Sequence, residues 1–245
     1  MVEFVRGDLA AVGRTAMRHP NHDLGITLYP MFHVGSAAFY EALSEDLRRF
    51  RVFLLEGVRW KGFRGPLYDL AARNVGLVTQ QACLRLPEGV ERLPLDMSEV
   101  EFTREIGTIP MHWRLLLRFL RPVLWAVTST ASGRHALWDA ISKEKYVRKL
   151  QTVETPLSDL IKNKRDRAMC EVLRAVVQDP ARIRAAEPIA VIAGAAHMPA
   201  IYMTLRSCGY ERGSVRWFEV LEGVIVPSRS TDGRARKAGT HDAAL

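Results

Sequence analysis

Residues 189–199 read IAVIAGAAHMP, and this stretch decides the fold. The apolar, partly β-branched run 189–193 is typical of a β-strand. Pro199 suits the first turn of a following helix, which Gly209 would end. In an open α/β sheet, ligands bind at the carboxyl ends of the strands. His197, placed between this strand and this helix, is therefore a candidate site residue.

Two other ionisable residues stand where a short apolar run stops. His33 comes soon after the run 25–28, and Glu56 directly follows the run 52–55. We expect both to reach the same edge of the sheet as His197. A carboxylate at that edge is costly without a partner, so Glu56 is expected to be paired, hydrogen-bonded or metal-bound. Asp96 follows a weaker run and is given a minor role.

The remaining elements alternate in the manner of an α/β protein. Strand and helix patterns follow one another along both ends of the chain. The predicted elements are a helix from about Ser36 to Phe50, a strand at 51–55, a short helix at 66–74, a strand at 77–80, an apolar run ending at 94–96, a helix at 199–208 and a strand at about 215–220. The sequence predicts an α/β fold with a mostly parallel central sheet flanked by helices.

The domain organisation follows from length and from the middle of the chain. A chain of 245 residues suits one large domain, predicted at 1–226. Residues 98–177 show no convincing strand, so we expect a central helical insertion there, broken near residues 110, 122, 133 and 156. The segment 227–245 is basic and lacks periodicity, which predicts a disordered tail.

The charge of the chain is local. Of the formal net charge of +8, the segment 111–150 contributes +6 (eight Lys or Arg against two acids) and the tail +2 (four against two), so the rest is neutral. No nucleic-acid-binding motif accompanies the charge, so no nucleic-acid partner is expected. Three widely spaced cysteines, the absence of a secretory signal and the absence of an apolar stretch of about 20 residues predict a reduced, cytoplasmic protein.

The basic segment also holds three of the five tryptophans. Within 111–127, apolar residues alternate with Arg114, Arg118 and Arg121 on one side. Such a helix could make peripheral contact with an anionic membrane or form a lid over the strand ends. More often its arginines form a solvated face and its apolar side belongs to the core or to a homodimer interface.

Arg165 is singled out by helical periodicity. It falls on an apolar stripe that consists of Leu157, Ile161, Ala168, Val172 and Val176. An arginine that faces inward is rare unless it is paired. We therefore expect Arg165 to hold a substrate oxyanion or a catalytic carboxylate, or else to form a structural ion pair with Asp96, Glu56 or another acid.

His197 is expected to be neutral, because the positive end of a helix dipole disfavours an imidazolium. A neutral imidazole is what a metal ligand or a general base requires. The alternative is a histidine that only caps the helix or bonds a backbone carbonyl.

Four short stretches, in this order, resemble the TraB/PrgY/Tiki family within the group of erythromycin-esterase-like and ChaN-like proteins. They are FHVG at 32–35 with Phe39-Tyr40, LLEGV at 54–58, DLIKNKRDRAM at 159–169 and IAGAAHMP at 192–199. The family's two Gly-x-x-His motifs, its glutamate and its arginine fall on His33, Glu56, Arg165 and His197. One departure is clear: Pro30 stands where the first motif has glycine, and proline fixes φ and removes an amide donor.

The resemblance implies metal-dependent proteolysis, as in the Tiki branch, control of peptide pheromones, or ester hydrolysis without an obligatory metal. The leading expectation is a metal-assisted hydrolase of a peptide or small acyl substrate that uses Mn, Co or Zn. His33 and His197 would be ligands, Glu56 a third ligand or general base, and Arg165 the oxyanion-stabilising residue. The alternatives are a metal-free esterase-like hydrolase and a non-catalytic protein that binds a peptide or small ligand.

Overall fold

The computed structural model describes residues 3–6, 10–57, 72–113, 115 and 155–221. Its strands are β1 (Val5–Arg6), β2 (Ala11–His19), β3 (His22–Met31), β4 (Val34–Gly35), β5 (Val52–Leu55), β6 (Val78–Thr79), β7 (Glu91–Pro94), β8 (Ile189–Gly194) and β9 (Glu211–Glu219). Its helices are α1 (Ala37–Leu47), α2 (Gln80–Cys83), α3 (Glu99–Thr108), α4 (Pro156–Ser158), α5 (Arg165–Gln178), α6 (Pro180–Ala185) and α7 (Met198–Ser207). A π-helical turn, Asp159–Lys164, joins α4 to α5.

The centre of the main sheet is parallel. Its strand order is β1-β2-β3-β8-β5-β7, with β9 beside β2. In the parallel part, Met31 of β3 pairs with Gly194 of β8, and Leu55 of β5 pairs with both Ile192 and Pro94. The carboxyl ends of β3, β8, β5 and β7 therefore meet at one edge. The predicted class, α/β with a mostly parallel central sheet flanked by helices, is confirmed.

The antiparallel pairing on one side of the sheet was not predicted, although β9 corresponds to the strand predicted at about 215–220. β2 pairs antiparallel with β1, β3 and β9. Sequence patterning misses β2 because a charged residue, Arg14, lies in the middle of a buried strand, and its partner Asp46 is 32 residues away. The strand predicted at 77–80 is reduced to β6, because α2 begins at Gln80; β6 pairs with β4 in a separate two-stranded sheet.

Side chains alternate strictly between the two faces of the parallel strands. Phe53, Ala190 and Ile192 lie in the core that contains α1. Val52, Leu54, Ile189 and Val191 lie in the core that contains α5 and α7. Because the side-chain period of a strand is two, residue 56 continues the series 52–54 toward the α5 and α7 side. The sequence of β5 thus directs Glu56 toward the beginnings of those two helices.

The helix signals are largely confirmed. Ser36 caps α1 by accepting a hydrogen bond from the Phe39 amide at 3.1 Å, although the helix ends at Leu47 rather than Phe50. Ser98 and Glu101 form a capping box at the start of α3. The described parts of the predicted insertion 98–177 contain no strand and are mostly helical. Its residues 114 and 116–154, most of the predicted helix 66–74, and the tail 227–245 lie outside the described residues. In the described chain, no helix has the length and apolar character needed to cross a membrane.

Candidate active site

Five ionisable side chains meet at the carboxyl edge of the parallel strands. Glu56 directly follows β5, and Asp96 lies just beyond β7. Arg165 and Asp166 are the first residues of α5, and His197 directly precedes α7. The structure therefore brings together Glu56, Arg165 and His197 of the sequence prediction and Asp96, which was given a minor role, and it adds Asp166.

Arg165 is paired with two carboxylates. Its Nη2 donates to Glu56 Oε1 at 2.6 Å and also to Asp96 Oδ2, while its Nε donates to both oxygens of Asp96, at 3.2 and 3.0 Å. The side chain of Asp96 is 1% exposed and that of Arg165 is 15% exposed. The ion pair with Asp96 and Glu56 that the sequence left as an alternative is thus present. The oxyanion-stabilising role of Arg165 stays a prediction.

Glu56 is held at both of its carboxylate oxygens. Oε1 faces Arg165, and Oε2 accepts a hydrogen bond from the Gly194 amide. The Glu56 amide in turn donates to the Ile192 carbonyl at 2.9 Å, which continues the pairing of β5 with β8. A Cβ atom added at Gly194 would lie 3.2 Å from Glu56 Oε2, so the absence of a side chain permits this close approach.

His197 lies between two carboxylates. Its Nδ1 is 2.5 Å from Asp166 Oδ1, and its Nε2 is 3.4 Å from Glu56 Oε1. The residue occupies the N-cap position of α7, but its side chain makes no capping hydrogen bond. The capping alternative therefore does not describe what the ring does, since both nitrogens face acids.

The neighbouring charged groups determine the protonation states of His197 and Glu56. Burial disfavours the imidazolium, but the hydrogen bonds to Asp166 and Glu56 and the charge of Glu56 outweigh it and raise the pKa of His197 to about 9. Burial also disfavours the Glu56 carboxylate, but the hydrogen bond to His197, the charges of His197 and Arg165 and the Gly194 amide lower its pKa to about 2. The predicted neutral imidazole is wrong, because two acids outweigh one helix dipole.

The phase of α5 explains why sequence analysis found Arg165 but missed Asp166. The buried positions of α5 are Met169, Cys170, Leu173 and Val177, about one residue later than the predicted stripe. The π-helical turn before α5 explains the shift, because a single wider turn changes the helical phase that a regular period assumes. Counting back four residues from Met169 and Cys170 gives Arg165 and Asp166, so both begin the buried face.

His33 lies near the same edge but is exposed, unlike the other site residues. It follows β3 by two residues, and its carbonyl oxygen accepts a hydrogen bond from the Gln80 amide at 2.9 Å. Its role as ligand or catalytic residue stays a prediction.

Pro30, the departure from the glycine motif, is accommodated without a lost sheet bond. The pairing of β3 with β2 ends at Leu28, and the Met31 carbonyl faces β8, where the Ala195 amide donates to it at 3.1 Å. Since successive residues face opposite sides of a strand, the missing amide of Pro30 points away from β8, beyond the last β2 pair.

The donor set does not fit a divalent ion in this arrangement. Both oxygens of Glu56 and both nitrogens of His197 already face protein groups, and a guanidinium lies 2.6 Å from the Glu56 oxygen nearest His197. A cation placed there would meet Arg165 at close range. Across the described ranges, no group of three His, Cys, Asp or Glu side chains has metal-binding geometry, so the predicted set of His33, Glu56 and His197 is not formed.

Comparisons with known proteins add no relative. No family model matches this chain, and no curated protein or solved structure gives a match. The resemblance to the TraB/PrgY/Tiki family therefore stays a prediction that rests on the four short stretches.

Proposed function

We propose that this protein hydrolyses an ester or another acyl bond, with Glu56 and His197 as its acid–base pair. The observation that carries the proposal is the position of the His197 ring, fixed by Asp166 at Nδ1 and facing Glu56 with Nε2. This pair lies at the carboxyl ends of parallel strands, where α/β proteins bind ligands. The substrate would be a peptide or a small acyl compound, and the location cytoplasmic, in keeping with three free cysteines.

The charge state assigns one role to each residue. At neutral pH His197 is an imidazolium and Glu56 a carboxylate. Glu56 then takes a proton from water while the water oxygen adds to the acyl carbon, and His197 gives its Nε2 proton to the leaving oxygen or nitrogen. Transfer of the proton from Glu56 to His197 restores the pair. The separation of 3.4 Å between Nε2 and Oε1 is long for a charge-assisted hydrogen bond, so this contact opens most readily for substrate.

The neighbouring residues position the pair. A carboxylate with a pKa of about 2 is a weak base, so substrate must loosen its contact with His197 or Arg165 to make it effective. Asp166 fixes the ring and its Nδ1 proton. Arg165 holds Glu56 against the strand ends, and Asp96 holds Arg165. The arrangement supplies acid, base and orientation from protein groups alone.

Activity measurements with and without metal test the proposal. The purified chain is assayed against chromogenic esters and fluorogenic peptides, in a chelator and in added Mn, Co or Zn. We expect hydrolysis of at least one substrate in the chelator. Glu56→Gln and His197→Asn should each lower kcat/KM by about 100-fold or more, the usual contribution of a general acid or base. Glu91→Gln is the matched control, because it also breaks a glutamate–arginine pair but at the start of β7.

Two results would contradict the proposal. Activity that requires a divalent metal and is lost in His33→Ala would support the metal-dependent hydrolase instead. Saturable binding of peptides or esters without turnover would support the non-catalytic regulator.

The pH profile of kcat/KM tests whether Asp166 positions His197 or has only a structural role. Above about pH 9, kcat/KM should fall as His197 loses its proton. In Asp166→Asn this fall should move to lower pH.

A further inference from the structure

A second charged cluster lies on the face of the sheet that carries α1. Its centre is Asp46, whose side chain is 7% exposed. Tyr29 donates its hydroxyl proton to Asp46 at 2.6 Å, and Arg14 donates from Nη1 at 3.2 and 3.1 Å. Arg49 and Arg216 each donate to the same carboxylate at 3.3 Å. One acid is thus shared by three arginines, from β2, β9 and the turn that follows α1.

The cluster carries excess positive charge. Three guanidinium groups against one carboxylate leave two positive charges, and the neighbouring Arg48 and Glu45 cancel each other in a pair at 2.8 Å. The carboxyl end of α1 contributes only about half a negative charge. Arg14 is also incompletely satisfied: its buried Nε has no hydrogen-bond partner among the described residues. This Nε offers no contact to a ligand, because it is not exposed.

The two exposed arginines are held in place before any ligand arrives. The Arg49 guanidinium lies 4.8 Å from the ring centre of Phe50, and the Arg216 guanidinium lies 4.9 Å from that of Phe218. Each is also tethered to Asp46. Their side chains are 49% and 62% exposed, so donors remain accessible. Arg49 Nη2 also donates to the Tyr29 hydroxyl at 3.3 Å. An arginine fixed by stacking and by hydrogen bonds loses less entropy when it binds a further anion.

An open groove of about 540 Å³ lies beside these arginines. Its lining residues are Ala42, Glu45, Asp46, Arg48, Arg49 and Arg216, and we call it the arginine groove. We propose that the arginine groove binds a small phosphate-bearing molecule, with Arg49 and Arg216 as its principal contacts. Planar guanidinium groups match phosphate oxygens in pairs, and the volume is in the range of small-ligand sites. The proposal is independent of the function of Glu56 and His197.

Titration with inorganic pyrophosphate, at ionic strength held constant with sodium chloride, tests the proposal. Calorimetry on the full chain should show saturable binding. The double variant Arg49→Gln/Arg216→Gln should weaken it by about tenfold or more, because two charge-assisted hydrogen-bonding groups are lost. Arg212→Gln/Arg184→Gln is the matched control, since it removes two exposed arginines outside the groove. Arg216→Lys should bind with intermediate affinity, because it keeps the positive charge but loses the paired N–H donors of the guanidinium group.

The outcomes separate a site from general attraction. Absence of saturable binding, or equal weakening in the control variant, overturns the proposal. Vesicles of phosphatidylcholine with and without phosphatidic acid form a second arm. Binding to the anionic vesicles without binding to pyrophosphate would overturn the assignment to a small molecule. Circular dichroism checks that each variant is folded, and Arg216→Lys retains a test if the double variant is not.

Discussion

The cluster at the carboxyl edge of the parallel strands (the carboxyl-edge cluster) and the cluster around Asp46 are built from similar residues but in opposite proportions. At the carboxyl edge, the three acids Glu56, Asp96 and Asp166 meet two cations, Arg165 and protonated His197. At Asp46, one acid meets three arginines. The first cluster has a net charge of about −1 when His197 is protonated, and the second about +2. The first is nearly buried, while the second offers exposed guanidinium groups.

The clusters also differ in what pH can do to them. Burial opposes the charge of both His197 and Glu56, but each stabilises the charge of the other, so the pKa of His197 is raised to about 9 and that of Glu56 is lowered to about 2. At the other cluster, burial opposes the Asp46 carboxylate, but the Tyr29 hydroxyl and Arg14 lower its pKa, and burial raises the pKa of Tyr29. Neither group changes charge near neutral pH. Of these four groups, His197 alone titrates at moderately alkaline pH, which is why we assign proton transfer to the first cluster and binding to the second.

Removal of Arg165 should produce the largest loss of stability. Arg165→Met leaves Glu56 and Asp96 nearly buried with their shared cation gone, which should lower the free energy of unfolding by about 3–5 kcal/mol. Arg182→Met is the control, because its partner Glu91 is 43% exposed, and it should cost less than about 1 kcal/mol. Urea unfolding at pH 7 measures both. Equal losses would mean that the ion pairs of Arg165 contribute no more to the free energy of unfolding than a surface ion pair does.

Removal of Asp46 should be costly without changing the response to pH. Asp46→Asn removes the charge that balances three arginines and weakens the hydrogen bond from Tyr29, so we expect a loss of about 3 kcal/mol. The loss should be constant between pH 5 and 9, since no group of this cluster titrates there. A loss that varies across this range would mean that Asp46 is energetically coupled to a group that titrates there. That result would contradict the difference in pH response between the two clusters.

The sequence predicted those members of the carboxyl-edge cluster whose positions follow from local periodicity. Glu56 continues the two-residue alternation of β5, and His197 lies between a clear strand and a clear helix, so both positions follow from neighbouring residues. Arg165 was also found, although through a stripe displaced by one residue. Its selection succeeded because residues 165 and 166 both face inward at the start of α5.

What the sequence did not predict depends on distant partners. Asp166 was missed because the π-helical turn changes the phase of the helix, and no local pattern announces that turn. The charge of His197 was predicted wrongly because its acids lie 31 and 141 residues away along the chain. β2 was missed for the same reason, since a buried strand can contain Arg14 only because Asp46, which is distant in sequence, pairs with it.

The stability of the protein should depend on pH through the carboxyl-edge cluster. His197 has a raised pKa, about 9 against 6.5, so its contribution is complete below pH 6.5 and is lost as pH rises through 9. Glu56 has a lowered pKa, about 2 against 4.5, so its contribution is complete above pH 4.5 and is lost as pH falls through 2. The free energy of unfolding should therefore be greatest between about pH 4.5 and 6.5.

Unfolding in urea across this range gives the size of the effect. We expect a decrease of about 3 kcal/mol between pH 6.5 and 9.5. Asp166→Asn should reduce the decrease, because it removes one of the acids that hold the proton on His197. Asp46→Asn should leave the decrease unchanged. A flat profile for the unmodified protein would show that His197 is not held as an imidazolium by its acids.

The smallest effect should come from the close approach of Gly194 to Glu56. In Gly194→Ala the new methyl group would lie 3.2 Å from Glu56 Oε2, so the carboxylate must shift away from the Gly194 amide. We expect a loss of about 1 kcal/mol. The displaced carboxylate would also stabilise the imidazolium less, so the pKa of His197, measured by NMR, should fall. Gly25→Ala in β3 is the matched control, because nothing lies within 4 Å of the added atom. If the two alanine variants behaved alike, the glycine would matter only as a strand residue, and the tight contact would have no part in setting the charge of the pair.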